Sequence, residues 1–286
     1  SLISTTPGDP MRKIALKVAY IGTNYHGFQR QPDVPTVEGK LLEALEGAGI
    51  IEDPKKARFQ IAGRTDRGVH ALGNFVSFFT EEDIHVNQIN DLLPRDIRVL
   101  AWASVMYPFK VRYPLERHYR YILHREESMD TDSMAEAAAH FRGTHDFSNF
   151  SRRRDRDPVR RINDVRISEV GDSIIIDVYG ESFLWQMVRK MVRALLMVSE
   201  GELAPDDMAG LLDTDRRVFL EPMPPENLIL MDLKYGVKIK LRHDEYAFKR
   251  FISLLEEEFR LYREMSLVRR AMSDHLRDLQ EHELTD

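Results

Sequence analysis

The chain has 286 residues, 43% of them hydrophobic and 31% charged, which suits two globular domains with sizeable cores. It has no cysteine, so disulfides, a thiol nucleophile and any cysteine-based zinc site are excluded. Its formal net charge of −6 argues against a uniformly basic polyanion binder, so contacts to phosphate would have to come from local clustering.

Residues 1–11 read as a flexible tail without the positive-then-apolar order of a secretory signal. Arg12 to Ile21 alternates and is rich in β-formers, which predicts a strand. Val37 to Ala48 carries Leu41, Leu45 and Ala48 at helical spacing. Two apolar-alternating segments, Phe59 to Ala62 and Asn74 to Phe79, predict strands on either side of a polar stretch. His85 to Leu93 reads as a short helix and Ile97 to Met106 as a strand, completing one α+β half over residues 12–107.

A second half, residues 108–236, has a similar element order without a visible sequence repeat. His118 to His124 reads as a strand, and Asp130 to Phe141 as a helix with Met134, Ala137, Ala138 and Phe141 on one side. Val159 to Val170 and Ser173 to Tyr179 form a hairpin around Gly171-Asp172. Ser182 to Ser199 reads as a helix and Leu228 to Tyr235 as a closing strand. The longest apolar cluster, Met187 to Val198, is broken by Arg189, Lys190 and Arg193, so no membrane span is expected. Residues 237–286 form a helical extension, with Phe248, Phe251, Leu255, Phe259 and Tyr262 at spacings of three and four. Such a stripe is expected to pack against the body; an oligomer contact is the alternative.

The most informative stretch is Gly63-Arg64-Thr65-Asp66-Arg67-Gly68-Val69-His70-Ala71, a polar cluster in the turn between two strands. A carboxylate flanked by two guanidiniums stays ionised at neutral pH, in a setting that also attracts phosphate. That pairing points to chemistry on a nucleotide. Ordinary turn glycines and a loop salt bridge are the plainer reading of the same residues. The spacing of Gly63 and Gly68 fits the glycines of a P-loop, but Val69 and His70 stand where Lys and Ser or Thr are needed. His70 is assigned to loop structure, and the ten histidines show no metal-ligand spacing. Arg152, Arg153, Arg154, Arg156, Arg160, Arg161 and Arg166 lie in one stretch against Asp155, Asp157 and Asp164, a local surplus of four positive charges suited to RNA contact.

The Gly63 to Ala71 segment resembles the active-site motif of the TruA family of tRNA pseudouridine synthases. Tyr20 to Gln31 resembles the family's first strand and loop, and Thr36-Val37-Glu38-Gly39-Lys40-Leu41 the start of its first helix. Leu93 to Ile97, Arg117 to Tyr121, Gly143 to Phe147 and Phe183 to Arg189 then follow in the family's order. The resemblance covers roughly residues 12 to 236, and such an ordered set is far more specific than one short motif.

The resemblance implies an α+β fold of two similar halves, with their sheets joined and a cleft between, and the helical extension lies outside its pattern. It implies conversion of uridine to pseudouridine in the anticodon stem-loop of tRNA, at positions 38, 39 or 40. Asp66 matches the catalytic aspartate, which acts as nucleophile or base near C1′. Arg189 matches the arginine that pairs with it, reaching the cleft while Phe183, Met187 and Ala194 face the core. Tyr119 matches the tyrosine lying against the target uracil, an aromatic platform for an unstacked base, and Tyr121 is left as core or support. Arg64 matches the arginine that fills the space of the flipped nucleotide. Arg67 departs from the small residue common in bacterial members. Arg30, Arg112, Arg67, Arg152, Arg153, Arg154 and Arg156 are candidate phosphate contacts. A homodimer with one RNA crossing both subunits is implied as well. Isomerisation consumes no redox equivalent or phosphate, so no cofactor and no metal are expected, and the expected compartment is the cytoplasm. Two rivals are a non-catalytic RNA-binding protein with the same fold and a metal-dependent nuclease or phosphoryl-transfer enzyme. The latter needs clustered carboxylates, where the Asp66 loop offers one.

Overall fold

The computed structural model describes residues 11–151, 157–213 and 217–283. Of the tail read over residues 1–11, residues 1–10 lie outside them. The first half runs β1 (Arg12–Tyr20), α1 (Val37–Gly47), β2 (Gln60–Ile61), β3 (His70–Thr80), α2 (Val86–Leu92) and β4 (Ile97–Val105). The second runs β5 (Glu116–His124), α3 (Thr131–Ala139), β6 (Gly143–Asp146), β7 (Val159–Val170), β8 (Ser173–Gly180), α4 (Met187–Ser199), α5 (Asp207–Leu211) and β9 (Leu228–Lys234). A two-residue strand β10 (Arg242–His243) and one long helix α6 (Glu245–Glu283) follow.

Ten strands make one mixed sheet in the order β10-β4-β1-β3-β9-β5-β8-β7-β6, with β2 paired on β3. The two half-sheets meet at β9. It runs parallel to β3 through His70↔Ile229 and Ala71↔Leu230, and antiparallel to β5 from Tyr121↔Leu228 to Glu116↔Lys234. The fold is therefore α+β with joined half-sheets, and the join falls where the motif loop enters β3.

Local chemistry explains the helices. Thr36 caps α1 by accepting from the Gly39 N–H at 3.2 Å, and Asp130 caps α3 by accepting from Ser133 at 3.0 Å. Leu41 and Leu45 are buried in one core with α2 and the first turns of α6, alongside β1, β3 and β4. A second core gathers Met134, Ala138 and Phe141 with Met191, Leu195 and Tyr121.

Several expectations shift. Helix α4 begins at Met187 rather than Ser182, because Gln186 sits in the left-handed region at φ 63° and breaks the helical path. Strand β3 begins at His70, four residues before the alternating run, because its first residues pair with β9. The expectation that the C-terminal extension packs on the body holds only for the first turns of α6. Ala247, Phe251 and Leu254 are buried, whereas Phe259, Tyr262, Leu267 and Met272 are all more than 60% exposed. The helix runs on past the body that its first turns pack against.

Candidate active site

The motif loop is fixed from beneath by one buried amide. Asn74 on β3 accepts from the Gly63 and Phe75 N–H groups at 3.0 and 2.9 Å. It donates to the Gly63 carbonyl at 3.0 Å and to the Tyr20 hydroxyl at 3.2 Å. The Tyr20 hydroxyl and Thr65 Oγ1 share a hydrogen bond at 2.6 Å. Burial holds the Tyr20 hydroxyl far above the ordinary phenol range, so it stays protonated. Asn74 thus sets the strand side of the loop and Tyr20 its centre. The Phe28 N–H donates to the Thr65 carbonyl at 3.0 Å and brings in the β1–α1 loop.

The two glycines have separate reasons. Gly68 has φ 84°, which only glycine adopts freely. At Gly63 a Cβ would come within 2.9 Å of Leu230 and 3.0 Å of Asn74. His70 is structural in its contacts. Its Nδ1 accepts from the Gly22 N–H at 3.0 Å, so Nε2 carries the hydrogen that reaches the Glu226 carbonyl at 2.8 Å.

This frame holds Asp66 at the edge of a cleft, its side chain 28% exposed. Oδ1 accepts from the Trp185 indole N–H at 2.9 Å, and Oδ2 lies 3.5 Å from Arg189 Nη1. Arg189 is only 11% exposed, and its Nε donates to the Met223 carbonyl at 2.6 Å, fixing the guanidinium before it meets the carboxylate. Both donors come from one short segment, because the left-handed turn at Gln186 re-aims the chain between Trp185 and the first turn of α4.

A cleft of about 390 Å³ opens beside Asp66, lined by Arg64, Tyr119, Phe183, Trp185 and Arg189 among others. That volume lies in the range of small-ligand pockets. Tyr119 is half-buried and meets Phe183 edge to face at 5.3 Å. Burial pushes its hydroxyl up to about 12, with Arg117 opposing and the charge of Asp66 adding, so it is a neutral phenol at neutral pH. Tyr121 lies wholly in the second core with its hydroxyl on the Pro224 carbonyl at 2.9 Å.

The candidate phosphate contacts separate into places. Arg67 lines a hollow that shares Asp66, Arg64 and Arg189 with the cleft and adds His26, Gln31 and Glu226. Arg112 and Arg117 share a depression with Arg64 and Tyr119. Arg30 meets Arg112 farther out, together with Lys55 and Arg58. A second outer hollow adds Lys13 and Lys110 beside Arg58 and Arg112. These three depressions share Arg112, and their charged side chains are basic except for Glu38. Arg152, Arg153, Arg154 and Arg156 lie outside the described residues.

Sequence reading missed Trp185 as a partner of Asp66 and Phe183 as the support of Tyr119. Both stand in the Phe183 to Arg189 motif, and an indole N–H beside a paired arginine was the available signal. Among the described residues no group of three or more His, Cys, Asp or Glu side chains could hold a metal ion. No helix among them is long and apolar enough to cross a membrane.

Comparison with known proteins gives these residues a context. A family model described as tRNA pseudouridine synthase matches residues 16–114 and 137–236. The chain is 98% identical over 274 residues to tRNA pseudouridine synthase A of Methanothermobacter thermautotrophicus, covering 96% of this chain and 100% of that protein. It is 45% identical to the tRNA pseudouridine synthase A of Methanosphaera stadtmanae, over 88% of this chain and 94% of that one. The Methanobrevibacter smithii protein of the same name is 42% identical, over 94% and 99% of the respective chains.

Proposed function

The chain belongs to the tRNA pseudouridine synthase family, and from that membership we propose that its cleft isomerises uridine to pseudouridine in tRNA with Asp66 as the reacting group. The observation that carries the reading is the single carboxylate of Asp66, held by Trp185 and Arg189 at the mouth of a cleft that also contains Tyr119.

The chemistry follows from those side chains. An ionised carboxylate can attack C1′ or remove a ribose proton, and either route breaks the bond between C1′ and N1. The freed uracil turns in its place in the cleft and C5 bonds to C1′, which breaks the bond from C1′ to Asp66 on the first route and returns the proton from Asp66 to the ribose on the second. The hydrogen on C5 leaves to solvent and N1 takes a proton, so atoms balance without a co-reactant. Tyr119 gives the loose base a flat apolar face, with Phe183 behind it. Arg64, exposed beside Asp66, fills the gap left by the extracted nucleotide, an extraction that costs a few kcal/mol. Arg189, 3.5 Å from Oδ2, orients the carboxylate of Asp66.

Arg30, Arg67 and Arg112 are assigned to RNA phosphates, with Arg117 and Arg58 continuing the same positive edge. The target is taken as the anticodon stem-loop, at one or more of positions 38, 39 and 40. The working form is taken as a homodimer and the compartment as the cytoplasm.

Tritium release from C5-labelled uridine in tRNA tests the assignment. Wild type is expected to release tritium in the presence of EDTA, and Asp66→Ala to release none while still binding tRNA. Equal release by both proteins refutes Asp66. Binding with no turnover by wild type would favour a non-catalytic RNA-binding protein, and RNA cleavage abolished by EDTA a nuclease.

A further inference from the structure

The cleft beside Asp66 has to keep hold of a base that has come loose from its sugar. Stacking on Tyr119 holds the face of the ring but leaves its edge, and that edge needs partners. Uracil presents O2, N3–H and O4 in a row, a donor between two acceptors. Most polar side chains of the cleft do not suit it. Thr65 Oγ1 is engaged with the buried Tyr20 hydroxyl, and Trp185 and Arg189 reach Asp66. Arg64, Trp185 and Arg189 have donors only, so none of them can receive N3–H. The Tyr119 hydroxyl lies in the plane of its ring, away from the edge of a base stacked on it. Two carboxamides remain, Gln29 and Gln186, and each lines both the cleft and the adjoining hollow. Neither carboxamide is hydrogen-bonded within the described chain. Gln29 is exposed and Gln186 is half-buried. Gln186 also keeps its side chain at φ 63°, where glycine would rest without strain. A backbone conformation that penalises a side chain and still carries one, at the edge of a cleft, points to use of that side chain.

We propose that the carboxamide of Gln186 is the pivot on which the freed uracil turns. Its Oε1 accepts from N3–H, and its Nε2 donates to the carbonyl beside it. A half-turn about the line through C6 and N3 puts C5 where N1 was. N3–H stays in place, while O2 and O4 exchange positions. The edge that faces Gln186 is therefore the same before and after the turn. The base is held at both ends of its movement by one pair of hydrogen bonds, and the finish is not penalised relative to the start. Cytosine lacks this symmetry. It carries an amino group on one side of N3, a carbonyl on the other, and no hydrogen on N3 itself. A carboxamide set for cytosine would face the wrong group once the ring had turned. One contact thus selects uracil and permits its rotation. Gln186 adjoins Trp185, the donor to Asp66 Oδ1, so a single short segment sets both the carboxylate and the pivot.

This inference rests on isomerisation at Asp66 and names what holds the base there. Gln186→Gly removes the carboxamide and relieves the left-handed turn, so its Tm is expected at or above that of wild type. Its kcat for tritium release is expected to fall roughly 10-fold or more, because N3–H enters the cleft and finds no acceptor. Its tRNA affinity should be unchanged, since phosphate contacts bind the RNA before the nucleotide is extracted. A second substrate reads the contact itself: a stem-loop RNA with C5-labelled 3-methyluridine at the target and no base opposite it. Methylation at N3 is expected to cut wild-type kcat/KM by roughly 10-fold or more, and that of Gln186→Gly by no more than about 2-fold. Plain and methylated RNA are compared within each protein, so a change in folding does not produce that difference. A wild type that releases no tritium overturns the reading at Asp66 and this inference with it. An active wild type matched by Gln186→Gly overturns this inference alone. Methylation that costs Gln186→Gly as much as wild type overturns it too, as does a loss in Gln29→Ala with none in Gln186→Gly.

Discussion

Asn74→Leu should damage this protein more than most single substitutions, and the amount can be worked from its contacts. The amide is fully buried and takes part in four hydrogen bonds, between 2.9 and 3.2 Å. Leucine has nearly the same size and none of those groups. It leaves the Gly63 N–H, the Gly63 carbonyl and the Phe75 N–H without this partner beneath the loop. Each orphaned buried group costs about 1–3 kcal/mol, and shared relaxation makes the sum smaller than the parts. About 3–5 kcal/mol is therefore expected. For a chain of this size that corresponds to a fall of roughly 6–20 °C in Tm, read by circular dichroism. Tritium release should also drop at temperatures where the variant is still folded, because Tyr20 and Thr65 lose their anchor. Asn74→Asp is the informative companion. It keeps the acceptor for Gly63 and Phe75 but removes the donor, so it should retain part of the stability. A Tm within about 2 °C of wild type for Asn74→Leu, with full tritium release, would show that the loop is held by something other than this amide.

Two further outcomes follow from the contacts. Arg189→Lys keeps the charge but has one nitrogen, which cannot reach both the Met223 carbonyl and Asp66. At least about a 10-fold loss in kcat/KM with unchanged tRNA affinity is expected, and wild-type kinetics would count against the pairing. Asp177 concerns stability rather than activity. Burial alone would raise its carboxyl, but hydrogen bonds from Arg120 and His118 outweigh it and hold the group below the usual range. A depressed carboxyl contributes stability above its unfolded value of about 3.9, and that contribution is lost as pH falls through the lower folded value. Urea midpoints of wild type should thus fall more steeply than those of Asp177→Asn as pH drops below about 4, and parallel curves would refute the assignment.

The elements legible in the sequence were those whose period persists. Arg12 to Ile21 and Val159 to Val170 needed only alternation, and the helix after Thr36 had both its cap and its stripe. What was not legible is set by partners distant in the chain. β6 was read only as a motif, and β10 is two residues long and exists because Trp102 and Ala101 receive it. The early start of β3 at His70 depends on β9. Gln186 carries no glycine signal for its left-handed turn, so α4 was begun five residues too soon. In the site, Asp66 and Tyr119 stood out in the chain, and their family motifs named Arg189. Trp185 did not stand out, because an indole beside a carboxylate has no period and its bond spans 119 residues. The extension was misjudged for a physical reason: a heptad stripe states that a face must be covered, and leaves open whether its own body covers it.

The placement of β9 has a consequence for how the enzyme is made. His70 receives its parallel partner only when Ile229 arrives, long after both neighbouring half-sheets have been synthesised. Until then β3 and β5 each present a bare edge beside the Asp66 loop, open to pairing with another nascent chain. One late strand closes both edges at once. Competence is therefore withheld from every unfinished polypeptide, and the interval before that strand emerges is when a chaperone would matter most.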